Sequence, residues 1–152
     1  MTTTTVPATT RQAHARSAPR PRWSRLIEDV RRSGRYPTTE QAERVTRTVL
    51  SALGALVIGE ERVELARALP EAAARVIASQ IPATRPVTVA EFVDSIAARS
   101  EGATPATARW DAGSVLGVLT NLVGEDLSDR VLRELPPGYA PFFGRPEPAG
   151  AR

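Results

Sequence analysis

The chain has 152 residues, 20 basic and 17 acidic side chains, a formal net charge of +3, no Cys and a single His. Its length allows a self-sufficient core, and the lack of Cys excludes a disulfide framework, a thiolate nucleophile, an iron–sulfur cluster and a Cys-type zinc site. Every basic side chain is Arg, which removes Schiff-base chemistry and a P-loop lysine, and any His-dependent catalysis would have to pass through His14.

The charge is uneven. Residues 1–35 carry eight Arg against Glu28 and Asp29, a balance of +6, while residues 36–152 carry twelve Arg against fifteen acids, a balance of −3. Residues 1–22, rich in Thr, Ala, Pro and Arg, hold almost no large apolar side chain, so they cannot bury enough surface to offset their ordering entropy and are expected to form a disordered arm. Arg16, Arg20, Arg22 and Arg25, with Trp23 among them, are the candidate contacts for an anionic partner. The start lacks the apolar stretch of a secretory signal, and no run reaches the ~18 apolar residues of a membrane span. The expected location is therefore the cytoplasm.

From residue 23 onward the pattern is helical. Leu26, Ile27 and Val30 share one face of a first helix that is expected to stop at Gly34. Thr38, with Gln41 three residues on, reads as a capping box. The helix it opens carries a stripe through Ala42, Val45, Val49, Leu50, Leu53, Leu56 and Val57, with Gly59 as its expected end. A short helix from about Glu60 to Ala68 follows, then Leu69 and Pro70 as a break, and another short helix from Glu71 to Ser79.

After a linker to Val87, Thr88 and Glu91 form a second capping box ahead of Phe92, Val93 and Ile96. Thr104 followed by Pro105 opens a long helix through Val115, Leu116, Leu119, Leu122 and Val123. A short helix from about Asp126 to Glu134 ends at Leu135 and Pro136, and residues 144–152 read as a flexible tail.

The second half repeats the first at an ungapped offset. Thr38, Ala42, Val49, Leu50, Leu53, Leu56, Val57, Arg67, Leu69, Pro70 and Ala74 recur as Thr104, Ala108, Val115, Leu116, Leu119, Leu122, Val123, Arg133, Leu135, Pro136 and Ala140. Two amphipathic helices can match in their apolar residues by chance, but the shared cap and the shared Leu-Pro stop at one offset indicate duplication. The expected fold is an all-α compact bundle over residues 23–143, made of two units of about four helices, 23–81 and 88–143, that share one core.

These units, with VL-x-x-L-x-x-LV helices and a Leu-Pro turn running into LPPGYAPFF, resemble the bacterial domain of unknown function 2267 family over about residues 23–143. The first unit departs from the pattern, with EAAARVI in place of the aromatic-ended run. The resemblance implies a helical fold and a bacterial origin. It brings no established activity and no catalytic residues.

Glu60, Glu61 and Glu64, and Glu125, Asp126 and Asp129, sit near helix starts, where acids favour the positive end of the helix dipole; they form no calcium-loop pattern. No glycine-rich phosphate motif occurs, and no catalytic residue, metal or cofactor is expected. Trp110 lies off the apolar stripe of its helix and, with Tyr139, Phe142 and Phe143, forms the candidate partner surface. The expectation is a non-enzymatic module binding another protein or itself. The alternatives are an accessory nucleic-acid binder acting through the Arg arm and an enzyme with a carboxylate-lined pocket.

Overall fold

The computed structural model describes residues 21–146. Most of the expected arm, Arg16 and Arg20 included, and most of the expected tail lie outside these residues. Seven α-helices and one 3-10 turn account for the regular structure of the described residues, and none of them is in a strand.

Helix α1, Trp23–Gly34, buries Leu26, Ile27 and Val30 as its spacing predicts. It is closed by Arg35, whose backbone is left-handed at φ 57°, and by the Tyr36 N–H bonded back to Arg31 O at 2.9 Å. Gly34, the expected stop, is the last residue of the helix. It is glycine because the Tyr36 ring lies on its Cα: an added Cβ would run into that ring and come within 2.8 Å of Ser114 Oγ.

Helix α2, Thr39–Gly54, starts on Thr38, whose hydroxyl accepts from Gln41 N at 3.1 Å. It ends at Gly54, before the expected stop. The reason is Arg62, whose guanidinium donates to Gly54 O (2.6 Å) and Val57 O (2.9 Å). Gly59, at φ 64°, opens helix α3, Gly59–Ala68, rather than closing α2. Arg62 also donates to Ile77 O and Gln80 O, both at 2.7 Å, at the end of helix α4, Glu71–Ala78. One side chain thus satisfies carbonyls at the C-terminal ends of two helices, groups that have no partner within a helix.

Helix α5, Val89–Ala98, begins with the complete capping box of Thr88 and Glu91. Helix α6, Pro105–Val123, begins with a second one, in which Thr107 takes the role of the usual Glu or Gln. Gly124 separates it from helix α7, Glu125–Arg133, and the 3-10 turn Ala140–Phe143 follows.

α6 is the central element. It packs against α1, α2, α5, α7 and the 3-10 turn, while α2 also receives α1, α4 and α5, and α3 meets α7. The apolar stripes merge into one core containing Leu26, Leu50, Leu53, Phe92, Ile96, Leu116 and Leu119. Each large aliphatic side chain buried there contributes about 1.5–3 kcal/mol relative to exposure.

Tyr139 and Phe143 are members of this core. Tyr139 is 1% exposed, meets Phe92 edge to face at 5.4 Å, and donates its hydroxyl to Val87 O at 2.7 Å. Phe142 is half-buried, 6.1 Å from the Phe92 ring. Among the described residues no helix is long and apolar enough to cross a membrane.

Candidate functional site

The expected partner surface of Trp110, Tyr139, Phe142 and Phe143 is not a single surface. Tyr139 and Phe143 are buried, for the physical reason that the 3-10 turn folds back onto α6 and needs apolar side chains to cover it. Trp110 is the exposed member, at 55%. It borders a cleft of about 930 Å³ between the outer face of α2 and the turn joining α5 to α6, whereas Tyr139 lines a separate cavity of about 500 Å³.

The Trp110 cleft is built from the start of α6, the middle of α2 and the two interhelical turns. Trp110 Nε1 donates to Gly34 O at 3.0 Å, which fixes the indole across the end of α1 while leaving much of its surface open. One residue on, Asp111 accepts the Tyr36 hydroxyl at 2.6 Å. Burial pushes the Tyr36 phenol well above its ordinary range, and the Asp111 hydrogen bond adds to this. Asp111 is also pushed up by burial, and the Tyr36 hydrogen bond works against that rise.

The opposite wall carries three arginines, and one carboxylate, Glu101 on the turn joining α5 to α6, also lines the cleft. Arg47 is held by Glu43 at 3.0 Å and lies 4.9 Å above the Trp23 ring, a cation–π contact. Arg44 on α2 and Arg99 at the end of α5 also line the cleft, both exposed, and their side chains have no ion pair or hydrogen bond among the described residues. These two were missed in the sequence because each reads as an ordinary solvated position on a polar helix face. They become neighbours of one cleft only when α5 and α6 fold over α2. Chemically the arrangement offers two free guanidinium groups, which suit carboxylates or phosphates, next to a broad indole surface.

The acid clusters are arranged differently. Glu64 receives a fork of hydrogen bonds from Arg130 at 2.6 and 2.7 Å, and Arg130 also pairs with Asp126 at 3.2 Å and Glu61 at 3.6 Å. Arg130 holds the Glu64 carboxyl below its ordinary value, so it remains a carboxylate rather than a proton donor. Asp129 pairs with Arg145 at 3.1 Å. Glu60 lines a cavity of about 710 Å³ beside Arg67 and Arg130. No group of three His, Cys, Asp or Glu side chains among the described residues is placed to hold a metal ion.

Of the arginines expected to meet an anionic partner, Arg22 is exposed as the residue preceding α1, and Arg25 is exposed and reaches Asp29 at 3.5 Å. Neither lines the Trp110 cleft. Arg16 and Arg20 lie outside the described residues.

No curated protein matches the chain significantly. The family described as an uncharacterized conserved protein, DUF2267, matches residues 23–142, from the start of α1 into the 3-10 turn. On that match, and in agreement with the Leu-Pro and aromatic motifs, the chain belongs to the DUF2267 family.

Proposed function

We propose that this chain is an internally duplicated, non-enzymatic binding module that takes an acidic segment of a partner protein in the Trp110 cleft. The observation that carries the reading is the pairing of two unneutralised arginines, Arg44 and Arg99, with the exposed Trp110 on one concave surface. Exposed Trp and Arg are the side chains that most often anchor protein interfaces. Arg47, on the same cleft, and Arg31, Arg75, Arg85, Arg130 and Arg145 elsewhere are each engaged by a carboxylate, whereas Arg44 and Arg99 leave their guanidinium groups open to a partner.

Support for the duplication comes from parallel packing. α1 lies on α2 as α5 lies on α6, and α4 lies on α2 as the 3-10 turn lies on α6. Thr38 and Thr104 are both N-caps, and Glu64 and Arg130, which pair with each other, are 66 positions apart, the same offset as the repeated residues. Contact between equivalent positions is what an axis of twofold symmetry between two copies produces.

The test is site-specific photocrosslinking of the full chain in its source cell. A crosslinker replacing Ala106, on the cleft, should give a discrete adduct with one protein, and the same group replacing Arg133, outside it, should not. Introducing Arg44→Glu and Arg99→Glu together should abolish the adduct. Absence of any adduct from position 106, or equal adducts from both positions, overturns the reading.

A further inference from the structure

We infer that the cavity between α7 and the C-terminal 3-10 turn is a binding site for a small carboxylate with an aliphatic body. The site shares no residue with the Trp110 cleft, so it can fail without the acidic-partner module failing.

The two halves of the bundle differ after their Leu-Pro breaks. Behind Leu69 and Pro70 the chain forms α4, eight residues that pack on both α2 and α3. Behind Leu135 and Pro136 it forms a 3-10 turn of four residues that packs on α6. Two contacts hold this turn over the start of α5 rather than on α7. Gly138, at φ 102°, lies so near Val89 that an added Cβ would come within 2.9 Å of Val89 Cγ2. The Tyr139 hydroxyl is tied to Val87 O at 2.7 Å. A space of about 500 Å³ therefore remains beside α7, and Arg145 closes its far side through Asp129 at 3.1 Å. Its walls are set by internal contacts of the fold, so the site is formed before anything enters it.

The lining defines the occupant. Leu132, Leu135, Pro136, Pro137, Ala140 and Pro146 make it largely aliphatic. Tyr139 presents no open ring face, being 1% exposed and engaged by Phe92, so the body that fits is a flexible chain rather than a stacked ring. The charge on offer is a single cation. Arg145 is engaged by Asp129 and, at 3.8 Å, by Glu125. Arg133, exposed in the last turn of α7, has no ion pair or hydrogen bond among the described residues. One guanidinium suits one carboxylate, which its planar fork binds through two parallel hydrogen bonds. The volume lies in the range of small-ligand pockets and admits a chain of about ten carbons. Residues 147–152, which follow the lining residue Pro146, contain no large apolar side chain to fill an aliphatic cavity.

The experiment uses the full chain labelled with nitrogen-15. Octanoate is compared with hexanoate, octan-1-ol and octyltrimethylammonium, the Gly138 and Ala140 amides reporting on the cavity and the Trp110 indole N–H on the separate cleft. Saturable shifts at Gly138 and Ala140, and none at Trp110, are expected with octanoate. Hexanoate should bind about tenfold more weakly, because two fewer methylene groups are buried. The alcohol and the ammonium should bind roughly tenfold or more weakly still than octanoate, for lack of charge-assisted hydrogen bonds to Arg133. Arg133→Gln, at an exposed position, should reduce octanoate to the level of octan-1-ol and leave octan-1-ol unchanged. Leu132→Trp, which fills the cavity from α7, should abolish binding of both, and Arg133→Gln decides alone where that variant fails to fold. Equal binding of octanoate and octan-1-ol, no loss with Arg133→Gln, or shifts that never saturate overturn the assignment. Octanoate binding that appears only in a chain ended after residue 146 makes residues 147–152 the occupant and overturns it as well.

Discussion

Tyr36 and Asp111, 75 positions apart in the chain, meet in a 2.6 Å hydrogen bond that ties the turn after α1 to the start of α6. Tyr36→Phe removes the donor and leaves a partly desolvated carboxylate without it. A loss of about 1–3 kcal/mol is expected in urea unfolding. Because the Tyr36 bond holds the Asp111 pKa down against burial, the same substitution should raise that pKa further, as read by carbon-13 titration.

The direction of the Asp111 shift also sets a pH dependence. Its pKa lies above the ordinary 3.8, so its contribution to stability is fully present below that value and is lost as pH rises through the folded-state pKa. Asp111→Asn keeps an acceptor for Tyr36 and does not titrate. Wild type should therefore lose ground to Asp111→Asn as pH is raised from 3 towards neutrality, and a constant difference across that range would contradict the assignment.

Glu91 behaves in the opposite sense. Arg85, first, and the Thr88 backbone N–H hold its pKa at about 2, below the ordinary 4.5. Its contribution is present above pH 4.5 and is lost as pH falls towards about 2. The stability gap between wild type and Glu91→Gln should narrow over that interval, measured by denaturant melts at successive pH values.

Gly34→Ala offers a test in which two effects compete. Alanine improves helix propensity by about 1 kcal/mol, but its methyl group would overlap the Tyr36 ring and crowd Ser114 Oγ. Overpacking of this kind typically costs about 1–3 kcal/mol. The net effect should be destabilising, and it should diminish in a Tyr36→Ala background, where the ring is absent.

Arg62 should be among the most sensitive polar positions. Its four carbonyl contacts are charge-assisted, and Arg62→Met leaves the ends of α2 and α4 to find other donors. A loss of roughly 2–4 kcal/mol is expected. Arg62→Lys should recover only part of it, because an ammonium cannot reproduce the planar fork.

The helices were legible where a periodic stripe met a cap. Thr88 and Thr104 start helices as read, and Leu26, Ile27, Val30, Val49, Leu50 and Leu53 are buried as read. The stops were harder to read, since a glycine looks the same whether it caps a helix, opens one or makes room for a ring. Gly59 opens α3 and Gly34 accommodates Tyr36. Tyr139, Phe142 and Phe143 lie on one 3-10 turn and the residue before it, too short a stretch to display a period, so the pattern did not show that Tyr139 and Phe143 face the core. The exposure of Trp110 was legible from its helix face. Its neighbours Arg44 and Arg99 were not, because α2 and the end of α5 converge only through the tertiary fold.

The clasp between Tyr139 and Val87 bears on the order in which the chain can fold as it is synthesised. Tyr139 covers the Phe92 ring and binds a carbonyl of the linker that precedes α5, so the element that finishes the bundle comes from its last stretch. The linker and α5 gain this clasp only after residue 139 has been made, whereas Arg62, Ile77 and Gln80 can lock the α2–α4 corner much earlier. Synthesis from the N-terminus thus yields an early, cross-braced corner and a late-closing C-terminal half. Nascent chains that end before Tyr139 would expose the Phe92 ring and should be the ones most open to proteases and chaperones.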